Sequence, residues 1–208
     1  MKSIGFKPYL IEEIIEGNKF VTRRVMKRKP INHDQAIRDT GLKLPLPISD
    51  YNKFLSDMQK KGYTRLGTGG SMSGMLMESC RYGQVGDTIY VKETYAQVDG
   101  KYVYKLDNPD LKVKWVSGMF MPERAARIFL LLDQITPEYL HDITEEEAII
   151  EGVKRVDDGF KDYLNEKNVY EKAVDSFKSL WIKIGGIDSW NENPPVYAIK
   201  FKPSINIG

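Results

Sequence analysis

The chain opens with Ile4-Gly5-Phe6, a short apolar run of strand type, followed by Leu10, Ile11, Ile14 and Ile15 at helical spacing. Pro8 falls in the first turn of that helix, where a missing N–H costs nothing, and Glu12, Glu13 and Glu16 are expected on its solvent face. Gly17 suits the left-handed residue that ends it. Lys19 then projects from a turn, and Phe20 to Met26 reads as a strand. Further on, "TIYVKETYA" from Thr88 reads as one strand, with Ile89, Val91, Glu93 and Tyr95 on one face and Tyr90, Lys92 and Thr94 on the other. Residues 98–105 alternate as another strand. "RIFLLLDQI" (127–135) is apolar on both faces, which predicts the most buried strand. Thr144 with Glu147 three positions later is a capping box that opens a helix. Ala173, Phe177, Leu180, Trp181 and Ile184 share one side of a helix from about Tyr170 to Ile184, and "VYAIKF" (196–201) is the closing strand.

Helices of uneven length separate these strands, with no regular βαβ crossover. The expected fold is α+β: a small, mostly antiparallel β-barrel with surrounding helices. Residues 30–79 differ, with prolines at 30, 45 and 47, a helix expected from Asp50 to Lys61, and the glycine-rich "GTGGSMSG" at 67–74. They read as an insertion into a single domain spanning 1–208, and residues from about 137 to 190 as a helical elaboration. The glycine-rich piece lacks the Gly-Lys-Ser/Thr ending of a P-loop and reads as a flexible loop or lid. Met72, Met75 and Met77 offer an adaptable apolar surface.

Composition changes this picture little. The 208 residues are 41% hydrophobic and 29% charged, ordinary for a globular chain, and the net charge is only +2. Any electrostatic footprint for nucleic acid must therefore be local. No stretch approaches the ~18–20 apolar residues of a membrane span, and Met1 to Phe6 lacks a signal-peptide run. Cys80 is the only cysteine, so a reducing cytoplasm is the expected setting, with no membrane partner. His33 and His141 lie far apart, so no metal site and no cofactor is expected.

The candidate chemistry begins at "GNKFVTRR" (17–24). From Lys19 to Lys29 there are six basic residues and no acid. The run reads either as a solvated strand edge or as a wall that holds phosphate, arginine by bidentate bonds and lysine as a point charge. Glu93 continues an apolar face, so its carboxylate needs a cation, hydrogen bonds or a proton; Lys19 or an arginine is the nearest candidate in pattern. Trp115 and Trp190 stack on a base or pack in the core.

These segments carry a resemblance. "GNKFVTRR" matches the G-x-K-x-x-T-x-R pattern of ASCH domains, which are similar to the PUA RNA-binding barrel. "CRYGQVGDTIYVKETY", "KWVSGMFMPERAARI" and "SLWIKIGGIDSWNENPPVYAIKF" resemble parts of the phage and prophage subgroup, in the same order and over nearly the full length outside 30–79. The resemblance implies a PUA-like barrel in the cytoplasm that recognises RNA, a nucleotide or a modified nucleoside. Some small members are amidohydrolases acting on N4-acetylcytidine, through a lysine, a threonine three positions later and a glutamate at the strand end. Carried over, these are Lys19, Thr22 and Glu93, with Arg23, Arg24, Tyr95, Trp115 and Trp190 as substrate-binding candidates. This chain is about twice as long as those enzymes, and Lys92 stands where the subgroup usually carries arginine.

Three functions use these residues differently. Amide cleavage needs Thr22 activated by a base, and a lysine that titrates near ~10.4 serves only if burial or Arg23 and Arg24 lower it. Metal-independent RNA cleavage needs a base for the 2′-hydroxyl, with Lys19, Arg23, Arg24 or Tyr95 around the phosphate. A non-catalytic module needs only salt-sensitive affinity for RNA or a nucleotide.

Overall fold

Pro8 and the apolar positions behind it do what their spacing predicts. In the computed structural model, β1 (Ser3–Gly5) leads into α1 (Pro8–Ile15), which buries Leu10, Ile11 and Ile14. The structure describes residues 1–27, 31–32, 36, 39, 48–61, 63–66, 75–78, 80–165 and 167–205. Arg28, Lys29, His33, Met72 and the 67–74 loop lie outside them. One expectation for α1 fails: Glu13 is buried, and its carboxylate accepts a hydrogen bond from Asn18 Nδ2 at 2.9 Å.

The chain forms two units, residues 25–81 and the remainder. The strand β2 (Val21–Val25) ends at their boundary. Residues 25–81 contain β3 (Ile31–Asn32), α2 (Ile48–Lys60), β4 (Tyr63–Leu66) and β5 (Met75–Glu78). The three strands form an antiparallel sheet with β5 at its centre, so Met75 and Met77 belong to a strand.

The larger unit continues with β6 (Thr88–Lys92), β7 (Tyr95–Val98), β8 (Lys101–Tyr104), β9 (Ile128–Tyr139) and α3 (Glu145–Ile150). After these come β10 (Arg155–Val156), β11 (Gly159–Lys161), β12 (Val169–Tyr170), α4 (Ala173–Gly185), α5 (Ile187–Asn191) and β13 (Pro195–Ile205). Its main sheet runs β1-β6-β9-β13-β2, with β1 parallel to β6 and the β6–β9 and β9–β13 pairs antiparallel. The α+β class holds. The closed barrel does not appear: among the described residues no backbone pairing joins the edge strands β1 and β2. A side chain bridges them instead, because Arg24 of β2 donates from Nη2 to the Gly5 carbonyl of β1 at 2.7 Å. The two edges of the sheet therefore come within one arginine's length of each other.

Three strand readings change. "TIYVKETYA" breaks after Lys92, and β7 leaves the main sheet to pair with β8 through the turn at Asp99-Gly100. Glu93 sits in that break, so Glu93 and Tyr95 do not share a face of one strand. β9 buries Ile128, Leu130 and Leu132, but Leu131 on its other face is 41% exposed, so this strand is not covered on both sides. The small sheet β10-β11-β12 was not expected within the helical elaboration. α3 does begin at the capping box: Thr144 Oγ1 accepts from the Glu147 N–H at 3.2 Å. Beside it Phe177, Leu180, Leu140, Tyr163 and Trp190 gather into one core with Leu10 and Val196.

Candidate functional site

The turn after α1 carries Lys19 inward. Its backbone bridges Glu151 in antiparallel fashion, and the Phe20 N–H donates to the Ile150 carbonyl at 2.8 Å. Gly152 makes the approach possible: at φ 82° it faces Lys19 and Glu13, whose Cβ atoms would each lie 3.0 Å from an added Cβ. Lys19 is 1% exposed. Its Nζ donates to the Val21 carbonyl at 2.8 Å, the Glu151 carbonyl at 2.5 Å and the Glu151 carboxylate at 2.7 Å. An ammonium has three hydrogens, and all three have acceptors here. Burial pushes the Lys19 pKa below its ordinary value; Glu151 opposes this, while Arg24 and Arg23 add to it.

Arg23 joins the same buried network. Glu151 Oε1 accepts from its backbone N–H at 2.7 Å, Glu138 from Nε at 2.7 Å and Glu147 from Nη2 at 2.5 Å. The guanidinium lies 5.9 Å from the Phe177 ring centre. Burial raises the Glu138 carboxyl above its ordinary value, against the pull of Arg23. Thr22 is buried on the strand face opposite Arg23. Arg24 is half-buried, 4.8 Å from the Phe6 ring centre.

Glu93 is 3% exposed and has a different cation. Arg127 meets it fork to fork, Nε to Oε1 at 3.1 Å and Nη2 to Oε2 at 2.8 Å. The same guanidinium holds Asp107, with Nη2 to Oδ1 at 3.1 Å and Nη1 to Oδ2, and lies 4.1 Å from the Tyr104 ring centre. Burial works against the Arg127 charge, but the hydrogen bonds to Glu93 and Asp107 hold its pKa above the usual arginine range. The expected trio thus divides. Lys19 pairs with Glu151, Glu93 with Arg127, and no hydrogen bond or ion pair joins Lys19 to Glu93 among the described residues.

A second assembly lies beside Glu93. Cross-strand register sets Tyr95 opposite Tyr104 and Gln97 opposite Tyr102, so the three tyrosines share one face of the β7–β8 hairpin. Tyr95 and Tyr102 meet edge to face at 6.0 Å, and Arg124 Nε donates to the Tyr102 hydroxyl at 3.2 Å. Val116, next to the half-buried Trp115, bridges Tyr95 with reciprocal bonds of 3.1 and 2.8 Å. All three tyrosines are half-buried. Trp190, by contrast, is 8% exposed, stacked on His141 at 4.5 Å and set against Phe177; packing, not base stacking, accounts for it.

Sequence reasoning passed over Glu151, Arg127, Asp107, Tyr102 and Tyr104, and read Glu147 only as a helix cap. The signals were present in part. Glu147 and Glu151 stand one helical turn apart on one face, and "KYVY" alternates two tyrosines onto one side. Among the described residues no group of three or more His, Cys, Asp or Glu side chains is arranged to hold a metal ion, and no helix is long and apolar enough to cross a membrane. No protein-family model, curated protein or solved structure matches the chain.

Proposed function

We propose that this chain is an ASCH-type, PUA-like protein that recognises unstacked nucleobases, in single-stranded RNA or in a free nucleotide or modified nucleoside, without consuming them. The observation that carries this reading is the hairpin face of Tyr95, Tyr102 and Tyr104, partly open to solvent and edged by the exposed Arg124. Aromatic rings beside a cation suit bases on a phosphate backbone, because every base has a face to stack and every linkage a charge to hold. The deacetylase reading is set aside on one point. A base needs a lone pair aimed at substrate, and every Lys19 donor is committed to Val21 and Glu151.

The test pairs binding with turnover. Fluorescence anisotropy with a short labelled single-stranded RNA is expected to show affinity that falls steeply with salt. Tyr102→Ala is expected to weaken it about tenfold, the loss of one stacking partner. The RNA and N4-acetylcytidine should both be recovered intact after prolonged incubation. Absence of binding at low salt removes the proposal, and deacetylation by the wild type that is lost in a Lys19→Ala protein shown to stay folded restores the hydrolase in its place.

A further inference from the structure

Beside the tyrosine face stands a turn with unusual surface chemistry. Met119 is 73% exposed and Phe120 72%, two large apolar side chains side by side in water. The turn beneath them is firmly mounted. The Phe120 N–H donates to the Ser117 carbonyl at 2.9 Å and the Met121 N–H to the Gly118 carbonyl at 3.0 Å. Lys92 Nζ donates to the Met119 carbonyl at 2.9 Å, and the Tyr90 hydroxyl to the Met121 carbonyl at 3.2 Å. Met121 is buried, with its sulfur accepting the Glu93 N–H at 3.1 Å. Gly118 lies so close to Glu93 that an added Cβ would sit 2.9 Å from its carbonyl carbon. The apolar pair is thus held out on a fixed support.

We infer that Met119 and Phe120 form an apolar wedge that stacks on, or inserts between, bases of a bound single strand; this rests on the nucleobase reading above. Wedges of phenylalanine and methionine unstack bases in this way. Charge selects the occupant. Lys112 and Lys114 precede the tip and Arg124 follows it, all exposed, and no acid stands between Lys112 and Met121. The nearest acids in sequence, Asp110 and Glu123, lie outside that stretch on either side. Cations around an apolar tip fit a polyanion with flat apolar faces. The Tyr95–Val116 bridge sets the base of the turn against the tyrosine hairpin, so one strand can cross both.

The experiment uses single-stranded RNA carrying 2-aminopurine, with the wild-type protein, Phe120→Ala and Phe120→Trp, each checked for an unchanged melting temperature. Phe120→Ala is expected to raise Kd about tenfold, leave the salt slope unchanged and abolish the 2-aminopurine response, while Phe120→Trp retains both. Wild-type binding with Phe120→Ala equally tight and equally responsive overturns the wedge and leaves the nucleobase reading standing. Wild-type failure to bind removes the reading itself. Two other results also overturn the wedge: self-association of the wild type that Phe120→Ala abolishes, and wild-type binding to vesicles of anionic lipid that the same substitution removes.

Discussion

Lys19 and Glu151 complete each other at the level of single atoms. The ammonium gives all three hydrogens to Val21 and Glu151, and the carboxylate takes Lys19 on one oxygen and the Arg23 N–H on the other. Breaking such a buried pair strands a charge, whereas replacing it whole by apolar groups removes both desolvation costs. Lys19→Met is therefore expected to lower unfolding stability by about 3–5 kcal/mol. Adding Glu151→Leu should recover part of that loss, less the cost of leaving the Arg23 N–H without its acceptor, a coupling that a urea-denaturation double-mutant cycle would read. Additive single effects would deny the pair this role, and a folded, stable Lys19→Met protein that had lost a hydrolytic activity would return the lysine to catalysis. The need for a partner was legible in the sequence at Glu93, whose carboxylate continues an apolar pattern, while nothing there showed that Lys19 would be buried. The partners themselves were not legible. Glu151 lies 132 positions from Lys19 and Arg127 lies 34 from Glu93, separations that sheet order decides and local spacing does not encode.

Among the elements, the edges of the main sheet matter most. A barrel closes when its first and last strands pair; here Arg24 spans from β2 to the Gly5 carbonyl of β1 and takes the Phe6 ring beneath its guanidinium. Arg24→Ala should release that edge. The expected cost is on the order of 1 kcal/mol, because this charged hydrogen bond is exposed to water, and amide exchange should quicken across β1 and its partner β6. Unchanged exchange there would mean that β1 is held by its pairing with β6 alone. Elements with a strong period were readable in advance, among them α1, β2, α3 from its Thr144 cap, and β13. The break between β6 and β7 was not, because its one trace is the polar run Lys92-Glu93-Thr94, which fits a carboxylate on an apolar strand face as well as it fits a turn. Strands of two or three residues, such as β10 and β12, are too short to show any alternation.

At the scale of the molecule, the core that joins α1, α4 and the small sheet contains a titratable group with a measurable signature. Tyr163 is buried there and its hydroxyl accepts the Lys154 N–H at 3.0 Å. Burial pushes its pKa from the ordinary 10.0 up to about 12, with Glu13 and Tyr9 adding to the shift. The folded state therefore keeps a proton that the unfolded chain has released, and stability falls as pH rises through that window. The contribution is fully present below the ordinary value and is lost as the folded hydroxyl ionises. Tyr163→Phe has no proton to lose. It should start less stable at neutral pH, because the Lys154 N–H loses its acceptor, and then decline less steeply than wild type between pH 10.0 and about 12. Denaturation midpoints across that range, read beside the absorbance titration of the tyrosines, would show the difference. Parallel declines would mean that Tyr163 ionises no later in the fold than in the open chain, and that this core admits water where its packing says it should not.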